Sequence, residues 1–286
     1  MGIGQATVAV PMGSESVWSN PALIALSPRE LSLDFKTKAI ATEPESDLAA
    51  AFVFPVRYVG ALAVFARYMD YGSQPATDTL GNTTGSFNIT DLVFGASAAT
   101  TFFDRLSVGF TAKALQTRFP CTGDCSQVPS DQLASAIVSA LDLGVQYFVL
   151  RDSSLSIGGA ANTFGPRFQQ IDREQADSLP SRFTVGASYA RAISSVPGLR
   201  LRVSADLVSR VAGGGIPGER FGAELTYLNR LYMRGGYIAK GPGEINTPTI
   251  GFGVSSGRMH IDFAQMMAAL GTQNARPTFF ALRYTF

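Results

Sequence analysis

After residue 30 the chain alternates apolar and polar side chains with a period of two over nearly its whole length. Leu31, Leu33 and Phe35 fall on one side of an extended segment, while Ser32, Asp34, Lys36 and Lys38 fall on the other. A helix would mix these sets, whereas a strand separates them because successive side chains point to opposite faces. The same split sets Leu106, Val108, Phe110, Ala112 and Ala114 against Ser107, Gly109, Thr111 and Lys113. It sets Phe183, Val185, Ala187 and Tyr189 against Thr184, Gly186 and Ser188, and Leu199, Leu201, Val203 and Ala205 against Arg200, Arg202, Ser204 and Asp206. Cutting the chain at its turn signals predicts about fourteen strands, at residues 30–39, 47–56, 58–71, 85–102, 105–118, 133–151, 154–164, 181–193, 199–211, 219–229, 231–240, 247–255, 258–268 and 277–286.

The predicted connections alternate in length. Short ones fall at Arg57, at Phe103 and Asp104, at Asp152 and Ser153, at Asn229 and Arg230, and at Ser256 and Gly257, with Ser194 to Gly198 a little longer. Between them lie the longer Ile40 to Ser46, Gly72 to Thr84, Phe119 to Gln132, Gly165 to Pro180, Ala212 to Gly218, Gly241 to Asn246 and Gly271 to Arg276. Short turns at one end, longer loops at the other and an even strand number describe an antiparallel transmembrane β-barrel of the outer-membrane kind. Closure also pairs every backbone group that would otherwise be stranded in hydrocarbon. The alternative is a soluble β-sandwich, and the wet face decides between them. In a barrel the apolar stripe meets lipid while Asp34, Lys36, Lys113, Arg200, Arg202, Asp206, His260 and Asp262 line the lumen.

Composition agrees with the barrel. Of the 286 residues, 46% are hydrophobic and only 16% charged, against roughly 25% charged in an ordinary soluble domain. The most apolar stretches, such as Leu48 to Val56 and Leu92 to Phe103, are strand-sized, far short of the about 20 residues a spanning helix needs. The 23 basic and 22 acidic residues leave a formal charge of +1, which provides no basic field for nucleic acid. The first basic residue is Arg29, so the chain lacks the positively charged opening of a signal peptide. It is therefore either cytoplasmic or a mature or trimmed form, and for an outer-membrane barrel the signal is removed or not included.

The candidate chemistry is sparse. Cys121 and Cys125 flank turn residues and have no further Cys or His to complete a zinc site. They read as a small loop-closing disulfide of an oxidising compartment, with two free thiols as the alternative. Gly213, Gly215 and Gly218 match a dinucleotide fingerprint in spacing only, because Pro217 and the strand that follows replace the helix such a site requires. His260, the only histidine, shares the polar face with Asp262. A barrel phospholipase would need a serine within its reach, and the sequence does not place one there. The acidic runs Glu43 to Asp47 and Asp172 to Asp177 lack calcium-loop spacing and read as solvation of the outer loops. No enzymatic activity, cofactor or metal is expected.

Residues 1–28 do not alternate: they run through Ala6 to Val10, a turn at Pro11 to Ser14, and a segment containing Trp18, Asn20, Pro21 and Ala22. This start resembles the N-terminus of FadL-like barrels, especially the PorV/PorQ family of bacterial outer-membrane proteins. Arg29 to Leu33, Tyr68 to Gly72, Asp104 to Gly109, Phe164 to Arg167, Leu179 with Pro180, and Ile261 to Phe263 fit that pattern in order. In the last strand Phe280, Leu282, Tyr284 and Phe286 share a face, similar to the C-terminal signal read by barrel-assembly machinery. The resemblance implies a fourteen-stranded barrel, residues 29–286, whose N-terminal segment, residues 1–28, enters the lumen. Asn20 and Pro21 would then fix a turn; a short helix tucked under the barrel for stability is the alternative. It further implies a non-enzymatic accessory role in type IX protein secretion, with envelope or secreted proteins held by the loops Gly72 to Thr84, Phe119 to Gln132 and Gly165 to Pro180. The alternatives are passage of a small hydrophobic molecule through the lumen, as in fatty-acid transporters, and a structural place in a surface assembly.

Overall fold

The computed structural model describes residues 1–38, 45–78, 80–123, 135–150, 152–167, 178–211, 217–239, 246–267 and 276–286. Its strands are β1 (Glu30–Lys38), β2 (Glu45–Val56), β3 (Gly60–Thr77), β4 (Thr83–Phe102), β5 (Leu106–Arg118), β6 (Cys121–Gly123), β7 (Ala136–Phe148), β8 (Leu155–Phe164), β9 (Arg182–Ala192), β10 (Leu199–Arg210), β11 (Gly218–Tyr227), β12 (Leu231–Ala239), β13 (Thr247–Ser256), β14 (Met259–Met266) and β15 (Thr278–Thr285). Each barrel strand pairs antiparallel with its neighbours in sequence, and β1 pairs with β15 from Glu30–Thr285 to Thr37–Thr278. The sheet is thereby closed at fourteen strands, because β6 pairs only with the outer part of β4.

Alternation decides which side chains face out. Along β7, Leu141, Leu143 and Val145 are exposed while Asp142 and Gln146 are buried. On β1, Leu33 and Phe35 are 42% and 44% exposed, and Ser32 between β2 and β15 is fully buried. A water-soluble sandwich would invert this arrangement. Large apolar groups on the outside and polar groups within are what a hydrocarbon surround demands.

Two predicted connections differ from the structure. Gly72 to Thr84 is mostly strand: β3 runs on to Thr77 and β4 starts at Thr83. Gly72, taken as a turn signal, instead adopts φ 80° at a bulge where the β3–β4 register shifts between Asp70 and Ser73. The chain reverses only at Asp78, whose Oδ1 accepts the N–H groups of Leu80 and Asn82 at 2.9 and 2.8 Å. The second difference is β6, which lies inside the predicted connection Phe119 to Gln132. Cys121 opens β6, and Cys125 lies outside the described residues, as do most of Gly165 to Pro180, the glycine run before Pro217 and the run Asp172 to Asp177.

Residues 1–28 lie within the ring. They form two short 3₁₀ turns, Gly13–Trp18 and Pro21–Leu26, and Val8, Val17, Leu23 and Ile24 are at most 1% exposed. The first turn packs Val17 and the second Ile24 against Ala51, Val53, Ala61, Ala63, Phe65 and Ala99 on the inner faces of β2, β3 and β4. This apolar patch is the largest buried cluster among the described residues, so the barrel's core is the contact between its own wall and its N-terminus.

Candidate functional site: the plugged lumen

The inner wall supplies hydrogen bonds that an irregular segment cannot make for itself. Asp206 on β10 accepts the N–H groups of Thr7 and Val8 at 2.8 and 3.0 Å. Glu30 on β1 accepts the N–H and hydroxyl of Ser14 at 2.7 and 2.9 Å. Thr249 on β13 accepts the Gly4 N–H at 2.9 Å and donates to the Gly2 carbonyl at 3.0 Å. Ser156 and Gln146 donate to the carbonyl of Ala9 at 3.0 and 3.3 Å. Asn20, fully buried, is the hinge of the segment. Its Oδ1 accepts the Ala22 N–H at 3.0 Å, capping the second 3₁₀ turn ahead of Pro21, and its Nδ2 donates to Val8 O at 2.8 Å and to Val145 O of β7 at 3.0 Å.

Above this plug, toward the long-loop end, lies a cavity of about 360 Å³. Its wall comes from the outer halves of the strands, with Asp34 and Lys36 of β1, Asp47 of β2, Arg67 of β3, Arg182 of β9 and Arg220 of β11. Its floor is the plug, through Ile3, Met12, Glu15 and Trp18. Trp18 stands edge-on to Phe65 at 4.8 Å, with the Arg67 guanidinium 5.9 Å from its ring centroid. Arg67 is paired with Asp47, and Arg234 with Glu224 and Asp262. Arg182 and Arg220 instead reach plug carbonyls, Trp18 O and Gln5 O, each at 3.4 Å. The indole N–H of Trp18 and Oδ2 of Asp34 are buried without a hydrogen-bond partner. The site therefore sets Trp18, Met12 and Ile3 beside a wall of charged side chains.

The other residues singled out from the sequence are placed as follows. Lys113 donates to Asp142 and Thr163 at 2.8 and 3.0 Å, bridging β5, β7 and β8. Arg202 reaches Glu224 at 3.2 Å, while Arg200 is exposed at the short-turn end of β10. His260 pairs with Asp262 at 2.7 Å, edge-on to Tyr232. The register sets Ser255 across from His260, a neighbour the sequence did not disclose, and its hydroxyl donates to the Met259 carbonyl at 3.5 Å. Asp47 belongs to an acidic run expected to solvate an outer loop; it is buried against Arg67, because its position on β2 turns it inward. Phe280, Tyr284 and Phe286 are exposed on the outer face and Leu282 is half-buried between them.

Sequence reasoning missed Arg67, Arg182, Arg220 and Arg234 on the cavity wall and Glu30, Gln146 and Thr249, which bond the plug's backbone. The alternation that assigned Asp34 inward assigns these inward as well, but nothing in a single sequence says which inward groups converge. No protein-family model matches the chain, and no curated protein does. Solved structures do. The toluene transporter TbuX of Ralstonia pickettii matches with a TM-score of 0.62 at 18% identity, covering 100% of this chain and 97% of that one. The toluene transporter TodX of Pseudomonas putida gives 0.61 at 12% identity, covering 100% and 98%. A FadL homologue of Pseudomonas aeruginosa gives 0.54 at 11% identity, covering 100% and 97%. At such identities the likeness is one of fold alone, a closed fourteen-stranded antiparallel β-barrel.

Proposed function

We propose that this chain is a non-enzymatic channel of the bacterial outer membrane that takes small, mainly apolar molecules into its lumen from the long-loop end. The observation that carries the reading is the cavity of about 360 Å³ between the plug and that end, a volume at the lower limit of small-molecule sites and suited to a body of one ring. Trp18, Met12 and Ile3 give its floor an apolar part beside Glu15. The solved structures of like fold include toluene transporters, which supports the same class of ligand here. The accessory role in type IX secretion that the PorV/PorQ resemblance implies would put the work in the outer loops. Nothing in the cavity or in the fold comparisons favours it, and much of the Gly72 to Thr84 loop it would use is strand.

Trp18 is the chain's only tryptophan and lines the cavity, so its fluorescence reports occupancy directly. Titrating the refolded barrel with toluene is expected to give saturable quenching, and benzyl alcohol is expected to compete. Trp18→Phe removes the signal, and Met12→Trp restores it from the other side of the floor. A linear, unsaturable response in both proteins would refute the reading.

A further inference from the structure

The two ends of the barrel carry different chemistry. At the short-turn end, among the described residues, Arg29, Arg57, Arg105, Arg200, Arg230 and Arg258 stand in or beside the turns, exposed except for the half-buried Arg105. Three carboxylates are near them. Glu30 is buried and bound to Ser14. Asp152 accepts the N–H and hydroxyl of Ser154 at 3.0 and 2.7 Å within its own turn. Asp104 and Asp152 are exposed and offset part of the arginine charge. Among the described residues the opposite end is mixed, with Asp70, Asp78 and Asp91 on the β3–β4 hairpin and Arg118, Arg167, Arg210 and Arg276 exposed at the ends of other strands.

The same short turns bear bulky apolar tips. Tyr58 is 90% exposed and Phe103 91%, and Leu228 is exposed as well. All three adopt left-handed backbone, at φ 69°, 53° and 53°, a region that disfavours large side chains and in hairpin turns is normally given to Gly or Asn. A turn that only reverses the chain would use glycine, as Gly257 does at φ 58°. Strain of this kind persists where the side chain itself has a task. Arginine and aromatic also meet: the Arg57 guanidinium lies 4.7 Å from the Tyr58 ring centroid, and that of Arg29 lies 5.2 and 5.8 Å from Phe286 and Phe52.

We infer that this rim is a binding surface for an anionic phospholipid leaflet, its arginines taking headgroup phosphates and its apolar tips entering the boundary between headgroup and acyl chain. The inference rests on the reading of the barrel as membrane-spanning. The arrangement specifies lipid as the occupant. The arginines recur around the ring, at the β1–β15 seam and at the β2–β3, β4–β5, β11–β12 and β13–β14 turns. A leaflet meets such a ring all round, whereas a globular partner covers one side. The rim also continues directly from the apolar outer face, since Phe286 is the last exposed side chain of that face and carries Arg29 above its ring. Finally, the cations are arginines, whose planar forks bind phosphate bidentately and stack on aromatic rings.

The test reconstitutes the full chain in vesicles of phosphatidylethanolamine alone and of the same lipid with a minority of phosphatidylglycerol, then weighs by mass spectrometry the lipid that remains on the protein after mild detergent extraction. Phosphatidylglycerol is expected to be retained above its share, by about fivefold for each arginine engaged. Salt at about 1 M, where the Debye length is about 3 Å, is expected to erase the excess. The combined Arg57→Gln, Arg105→Gln, Arg230→Gln and Arg258→Gln variant, which keeps Arg29 and Arg200, is expected to retain a much smaller excess of phosphatidylglycerol while keeping the gel mobility of a folded barrel. Equal retention of both lipids by the unmodified protein would overturn the inference without relying on any variant's folding, as would an excess undiminished by the four substitutions. Failure of toluene to quench Trp18 bears on the channel alone and leaves this lipid measurement standing.

Discussion

Gly222 and Gly236 face each other across β11 and β12, as Gly109 and Gly144 do across β5 and β7, and Gly158 and Gly186 across β8 and β9. In the sequence these residues count among 29 glycines that suggest turns. In the structure they pave the inner wall where the plug's backbone comes closest. A Cβ at Gly236 would collide with Gly4 and the carbonyl carbon of Ile3, and one at Gly109 with Pro21 and Ala22. Glycine in mid-strand is the usual mark of such a backbone approach. Gly236→Leu is therefore expected to expel the first residues of the plug while the barrel still closes. Limited proteolysis should cut the variant within the first ten residues under conditions that leave the unmodified protein intact. Asn20→Ala removes the three hydrogen bonds of a side chain that is 0% exposed. It leaves the carbonyls of Val8 and Val145 without this donor, so a loss of about 1–3 kcal/mol is expected from urea unfolding in detergent. The family resemblance implied a turn fixed by Asn20 and Pro21, with a short helix under the barrel as the alternative; Asn20's two carbonyl partners were invisible because they lie 12 and 125 residues away.

The strands themselves were legible because burial of one face imposes a period of two on every element, and closure multiplies that signal around the ring. Where a glycine interrupted the pattern, as at Gly72, the sequence offered no means of telling a bulge from a turn; only the partner strand, Asn88 opposite Ser73, shows that pairing resumes. The cavity was less legible than the wall. Lys36 and Asp47 stand opposite each other across β1 and β2, and Arg67 reaches Asp47 from β3, but strand register is a tertiary property. This pair offers a test at the level of neighbouring strands. Asp47→Asn deprives Arg67 of its charged partner inside the lumen wall. Because the Arg67 side chain is 33% exposed, solvent screens part of the penalty, and a loss of about 1–2 kcal/mol is expected rather than the full cost of a buried orphan charge. Equal urea midpoints for Asp47→Asn and the unmodified protein would show that the pair contributes nothing to stability.

At the scale of the whole molecule, fourteen strands make a ring wider than the eight-stranded barrels that side chains can fill and narrower than the sixteen-stranded barrels that hold open water. The plug resolves this intermediate width: Val8, Val17, Leu23 and Ile24 are buried inside the ring, and the wall's polar groups bond to the plug's backbone. The barrel's own closure does not depend on it, since β1 and β15 pair along eight registered positions that begin after the plug has ended. Removing residues 1–28 is thus expected to leave a closed barrel that still migrates as a folded species on unheated gels, but with a lower melting temperature, because the inner apolar patch of Val53, Ala61, Ala63 and Phe65 becomes wet. In planar bilayers the unmodified protein should carry little ionic current, whereas the shortened barrel should show stepwise conductance. Toluene binding should weaken as well, with the floor of the cavity gone and the reporter moved to the wall as Phe65→Trp. An equally silent shortened barrel would mean that the wall side chains alone seal the lumen, and the plug would then be a support for the cavity instead of the barrier to passage.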